Sequence, residues 1–206
     1  MVGYTLLGVL CIGYLFLTLK HSFAFTGGKN VWFTVLFQEQ QFYSLLKYVP
    51  LAGGLTIAVA QYLPETINKR LKLTFHLPLT ENKVLLQMQA FGAGCLLISF
   101  LMFGGLFTGF SLIYFPIQMV TNSVVTILPW LLAGFAAYFM IALIILEPNW
   151  IFRFCYTLIG VFFLTIYFNS AGATAYASAN PVLFILTALL SVVFVFSAYR
   201  FRKGEV

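Results

Sequence analysis

Aspartate is absent from this chain, histidine occurs only twice, and no charged side chain lies between Lys83 and Glu147 or between Arg153 and Arg200. Each gap excludes a chemistry. Aspartyl proteolysis within the membrane and bis-histidine haem ligation need paired groups at one depth, and His21 and His76 fall on opposite sides of the topology derived below. Cys11, Cys95 and Cys155 sit inside apolar runs and form no C-x-x-C pair, so they read as soft packing residues, and no metal site is expected. Ser111 in Thr108-Gly-Phe-Ser-Leu resembles half of a nucleophile motif, yet no histidine is placed to activate it. No phosphate-binding glycine loop of the G-x-x-x-x-G-K-[ST] type is present, so any ATP hydrolysis belongs to a partner. The chain is expected not to be an enzyme and to need no cofactor.

What is present is apolar surface. The composition is 62% hydrophobic and 8% charged with a mean hydropathy of +0.99, against about 25% charged residues in ordinary globular domains. Water-facing helices need a polar face, which uncharged runs of this length do not supply, so the lipid bilayer is the solvent for most of the chain. The net charge of +6 does not point to nucleic acid, because the basic residues stand at the ends of apolar runs, where head groups account for them.

A crossing helix needs about 20 mostly apolar residues. Six segments qualify: 2–19, 43–63, 84–108, 123–146, 151–168 and 181–199. The runs are continuously apolar, without the alternation of a barrel strand, so the expectation is an all-α, polytopic six-helix bundle in a single domain over 1–206. The start Met1-Val-Gly-Tyr lacks a basic n-region, so the first run is expected to be a retained span. Lys69, Arg70, Lys72 and Lys83 in the loop 64–83, Arg153 in the next turn on that side, and Arg200, Arg202 and Lys203 in the tail share one face of the membrane. The positive-inside rule makes that face, and both termini, cytoplasmic; Lys20, Lys29 and Lys47 then lie outside. Residues 31–47, aromatic but polar at Gln38–Gln41, are expected either as an interfacial amphipathic helix or as an extension of a tilted second span.

Small residues recur within the spans, among them Gly53-Gly54-x-x-x-Ala58 and Gly105-x-x-x-Gly109. Gly54, Gly105 and Gly109 are therefore expected to let helices of the chain approach closely, or to form a dimer seam.

The loop 64–83 also carries Glu65 and Glu81. With Pro64 opening a helix, Glu65, Lys69, Lys72 and His76 share one face of a 65–77 segment while Ile67, Leu71 and Phe75 line the other, and Pro78 closes it. Glu65 and Lys69 have the favourable i, i+4 order for an ion pair, worth about 0.2–0.5 kcal/mol. An ordinary solvated connector with basic anchors is the plainer reading of the same residues.

Six spans, both termini inside, and this charged segment followed by Leu77-Pro78-Leu79-Thr80 resemble the transmembrane subunit of the type-2 class of ATP-binding-cassette transporters. Where that family often has an arginine after the Pro-x-Ser/Thr step, this chain has Glu81. The resemblance implies a permease subunit whose coupling helix holds Glu65, Lys69, Arg70, Lys72 and His76. It further implies a separate cytoplasmic ATP-binding subunit docked on that helix, and a second permease subunit completing the pathway. The setting it implies is a bacterial inner membrane, with a hydrophobic or amphipathic substrate. A structural subunit of a larger membrane complex and an ion-coupled carrier are the alternatives, the latter disfavoured by the lack of acidic residues in mid-span.

Overall fold

A computed structural model describes residues 2–37, 41–67, 81–169 and 175–203. They form helices α1 (Val2–Thr26), α2 (Gly28–Phe37), α3 (Val49–Ile67), α4 (Glu81–Tyr114), α5 (Ile117–Leu146), α6 (Trp150–Phe168) and α7 (Asn180–Lys203), with a short 3-10 turn at Ser44–Lys47 and no strand among the described residues.

The breaks between helices follow from local chemistry. Gly27, at φ 79°, takes the left-handed conformation that separates α1 from α2, and its carbonyl accepts from Asn30 N at 3.2 Å. Pro116 fits the N-terminal cap of α5 with φ −64° and ψ 154°, and a proline disfavours helical backbone in the residue before it. Glu147 is extended for the same reason, preceding Pro148, and the Asn149 side chain then caps α6 by accepting from Ile151 N at 3.0 Å. Arg153 secures this corner: its Nε donates to the Glu147 backbone oxygen at 2.7 Å and its Nη2 to Ile145 O at 3.3 Å, placing a cation at the carbonyl end of α5.

Gly3–Phe25, Lys83–Tyr114, Ile117–Leu146 and Trp150–Phe168 are long and apolar enough to cross a bilayer, and Asn180–Val193 of α7 is a shorter apolar helix. The chain is an all-helical integral membrane protein. Large apolar side chains such as Leu10, Leu17, Ile98, Leu101, Phe154 and Phe162 stand exposed on the outer faces, as lipid rather than water allows.

Of the six expected spans, the second, 43–63, is not among the described helices long and apolar enough to cross, and its helix begins later than expected. Ser44–Lys47 make the 3-10 turn, flanked by Tyr43 and Tyr48, and α3 starts at Val49 because Pro50 suits a first helical turn and no earlier interior position. The described part of 31–47 does not extend the helix at 49–67: α2 is a separate helix, tied to α4 through Trp32 Nε1 donating to Tyr114 O at 3.3 Å.

α5 is the hub. It packs against α3, α4, α6 and α7, and 61% of its span is buried against 11% for α6, so α5 occupies the axis and α6 the periphery. Backbones of α3 and α5 come together at Gly54 and Gly134, where a Cβ on Gly54 would lie 2.0 Å from Gly134 O and one on Gly134 would lie 2.6 Å from Pro50 O. No side chain fits between them. Gly105 and Gly109 differ: nothing lies within 4 Å of a Cβ at either position, so the intrachain packing expected there does not occur among the described residues.

Candidate functional site: a groove with a neutral polar floor

Within this apolar bundle, α3, α4 and α5 converge on a set of uncharged polar groups. Gln61 Nε2 donates to Met88 O at 2.6 Å, and Gln61 Oε1 accepts from the Tyr138 hydroxyl at 2.9 Å. The Tyr62 and Tyr138 hydroxyls are 3.1 Å apart. A hydroxyl has one proton to donate, and that of Tyr138 is directed to Gln61, so Tyr62 is the donor in the tyrosine pair. The resulting relay runs Tyr62 to Tyr138 to Gln61 to the α4 backbone, with both tyrosine rings wholly buried. Gly92 makes room for it: a Cβ there would lie 2.1 Å from Tyr138 Oη and 2.3 Å from Gln61 Oε1.

Gln61 also forms the floor of a groove of about 480 Å³ bounded by α1, α3 and α4, whose apolar walls include Leu7, Ile57, Ala60, Phe91 and Cys95. Tyr4 closes its edge. The Tyr4 ring covers Gly53, where a Cβ would lie 2.3 Å from it, and meets Phe103 edge-on at 5.5 Å between centroids. Its hydroxyl is buried without a hydrogen-bond partner. The groove thus combines apolar walls with neutral donors and acceptors, which suits an amphipathic guest. Among the described residues no group of three or more metal-ligating side chains occurs, and the polar floor holds no carboxylate, imidazole or ammonium. Hydrogen bonding is what these side chains can offer.

Of the residues expected at the coupling helix, Glu65 lies in α3, one turn beyond Gln61, and is half-buried. Pro64 lies inside α3 and does not open a new helix, because the backbone continues helical to Ile67. Residues 65–67 of the expected amphipathic segment thus belong to the last turn of α3, and 68–77 lie outside the described residues. Lys69, Arg70, Lys72 and His76 lie outside the described residues.

The sequence reading passed over Gln61, Tyr62, Gln89 and Tyr138. A signal existed for two of them, since Gln61 and Gln89 are carboxamides within otherwise apolar runs, and polar side chains inside a membrane tend to carry function. No comparable signal marks Tyr62 and Tyr138, whose hydroxyls matter only because the fold opposes them.

Tyr138→Phe is expected to lower the thermal stability of the detergent-solubilised protein by about 0.6–2 kcal/mol, since it removes the donor to Gln61 Oε1 and the hydrogen bond between the two tyrosines. Thermal unfolding followed by circular dichroism measures it. Tyr14→Phe, at a site 60% exposed, serves as the control and should melt like the parent.

No protein-family model, curated protein or solved structure matches this chain.

Proposed function

We propose that this chain is the permease subunit of an ATP-binding-cassette transporter, crossing a bacterial cytoplasmic membrane six times with both termini inside. A separate cytoplasmic ATPase docks on 64–83 and drives movement of a hydrophobic or amphipathic substrate. The observation that carries this reading is the construction of α3. One helix holds Gln61 at the groove, with Tyr62 buried behind it, and, a single turn later, Glu65 at the entry to the charged loop. A helix transmits displacement along its axis, so force applied at the loop reaches the groove without an intermediate element.

The filled axis supports a second part of the proposal. Because α5 occupies the centre of the bundle, a substrate route lies along a lateral face or between two subunits, and the latter agrees with a pathway completed by a second permease. The same filled axis also favours the runner-up, a structural subunit of a larger complex, which needs no route at all.

Purification in mild detergent separates the two. An ATP-binding protein is expected to co-purify in near-equal amount and to hydrolyse ATP faster in the complex than alone. Co-purification of other membrane subunits without any ATPase would replace the permease by the structural subunit.

A further inference from the structure

A second cleft, of about 500 Å³, lies on the opposite flank of α4, between α4 and α7. Leu86 and Ala90 of α4, Phe139 of α5 and Val192 of α7 form its apolar walls, and Gln89 and Ser191 are its polar members. Gln89 is only 7% exposed. Its Nε2 donates to Ser191 O at 3.1 Å, which fixes the orientation of the amide because a carbonyl only accepts. Its Oε1 is buried with no partner. The Ser191 hydroxyl does not supply the missing proton, being directed to Ala188 O at 2.7 Å. A buried carboxamide acceptor left open is costly, and here the side chain that carries it lines a cleft whose remaining walls are apolar.

We infer that the α4–α7 cleft binds a lipid alcohol, a long-chain molecule whose polar end is a free hydroxyl that donates to Gln89 Oε1. Depth and hydrogen-bond sense select this class. Lys83 is exposed at the start of α4 and marks the head-group level. Gln89 follows six residues later, about 9 Å deeper along the helix. A diacyl phospholipid presents ester carbonyls at that depth, all of them acceptors, which oppose Oε1. A diacylglycerol or another lipid with an unesterified hydroxyl presents a donor there while its chains lie against Leu86, Phe139 and Val192. The site is separate from the Gln61 groove, and the inference stands whether or not an ATPase partner exists.

Two photoreactive probes test it: a diacylglycerol with a diazirine in one acyl chain, and the same molecule with its hydroxyl capped as a methyl ether. Both are presented to the full chain in phosphatidylcholine nanodiscs, and crosslinks are mapped by mass spectrometry. The free alcohol is expected to label 84–93 and 183–193 about tenfold more than the ether, the fold-change of one hydrogen bond worth roughly 1.4 kcal/mol. Gln89→Leu, with an unchanged melting temperature, should reduce the two probes to equal labelling. Equal labelling of the wild-type protein overturns the proposal, as does a preference that survives Gln89→Leu or one that maps elsewhere. Should Gln89→Leu not fold, the wild-type comparison decides alone.

Discussion

Gly54→Leu is expected to abolish recovery of folded protein, whereas Gly105→Leu is expected to purify and melt like the parent. At Gly54 even the first carbon of a side chain would lie 2.0 Å from the backbone oxygen of Gly134 and 3.2 Å from Tyr138 N. The obstacle is main chain on both sides, which has no rotamer to change, so relief requires α3 and α5 to separate along a seam shared by the two helices. Overpacking that side chains absorb costs about 1–3 kcal/mol. Displacing a central helix exceeds that and approaches the total stability of a domain, about 5–15 kcal/mol. The readout is monodisperse yield on size exclusion together with thermal unfolding. Gly105 is exposed and has no atom within 4 Å of a built Cβ, so a leucine there finds open space. Parent-like behaviour of Gly54→Leu would mean that α3 and α5 do not touch as described, and loss of Gly105→Leu would place a second subunit on that face.

These two glycines show where sequence stops being informative in a membrane protein. Both sit in small-x-x-x-small patterns, and nothing local separates the one that packs from the one that faces outward. The reason is that lipid and protein interior are equally apolar, so hydropathy does not report burial. α4 and α5 have span hydropathies of 2.1 and 2.2, yet 33% of one and 61% of the other is buried. The central place of α5 was therefore hidden, although its Ala133-Gly134-x-Ala136-Ala137 run supplies the small surface that close packing uses. Helix ends follow a backbone rule at Gly27, Pro116 and Pro148–Asn149, yet the expected spans 2–19, 84–108 and 123–146 stop short of the first two, because hydropathy and not backbone chemistry set those bounds. At Pro64 the rule misled, because a proline is tolerated in the final turn of a helix when the turn before it is already anchored by Tyr62 against Tyr138. Of the polar floor, Gln61 was visible as an exception within an apolar run. Its partners Tyr62 and Tyr138 were not: a tyrosine near a span end, as Tyr62 is, ordinarily marks the membrane interface, and Tyr138 within α5 carries no local signal.

Reversing charge in the 64–83 segment is expected to have the largest functional effect of any surface change. On the proposed function, Glu65→Lys, or Lys69→Glu with Arg70→Glu, should detach the proposed cytoplasmic ATPase and eliminate stimulated ATP hydrolysis while thermal unfolding of the membrane chain stays unchanged. A solvated surface pair contributes only about 0–1 kcal/mol, so reversal there would pass almost unnoticed. A charge enclosed by a docked partner is different, because its reversal opposes like charges and leaves the partner's group unpaired, a cost of about 2–5 kcal/mol. Glu65 is the sharper probe of the two. It is half-buried at the end of α3, one turn from Gln61, so its reversal acts on docking at the point where the loop joins the groove. Arg202→Glu with Lys203→Glu, in the last turn of α7, is the matched control and should alter neither the partner nor the hydrolysis. If the loop variants keep both, the basic residues of 64–83 serve only to anchor the chain at the membrane surface. The continuity of α3 from groove to loop would then hold the bundle together without driving anything through it, and the structural-subunit reading would take precedence.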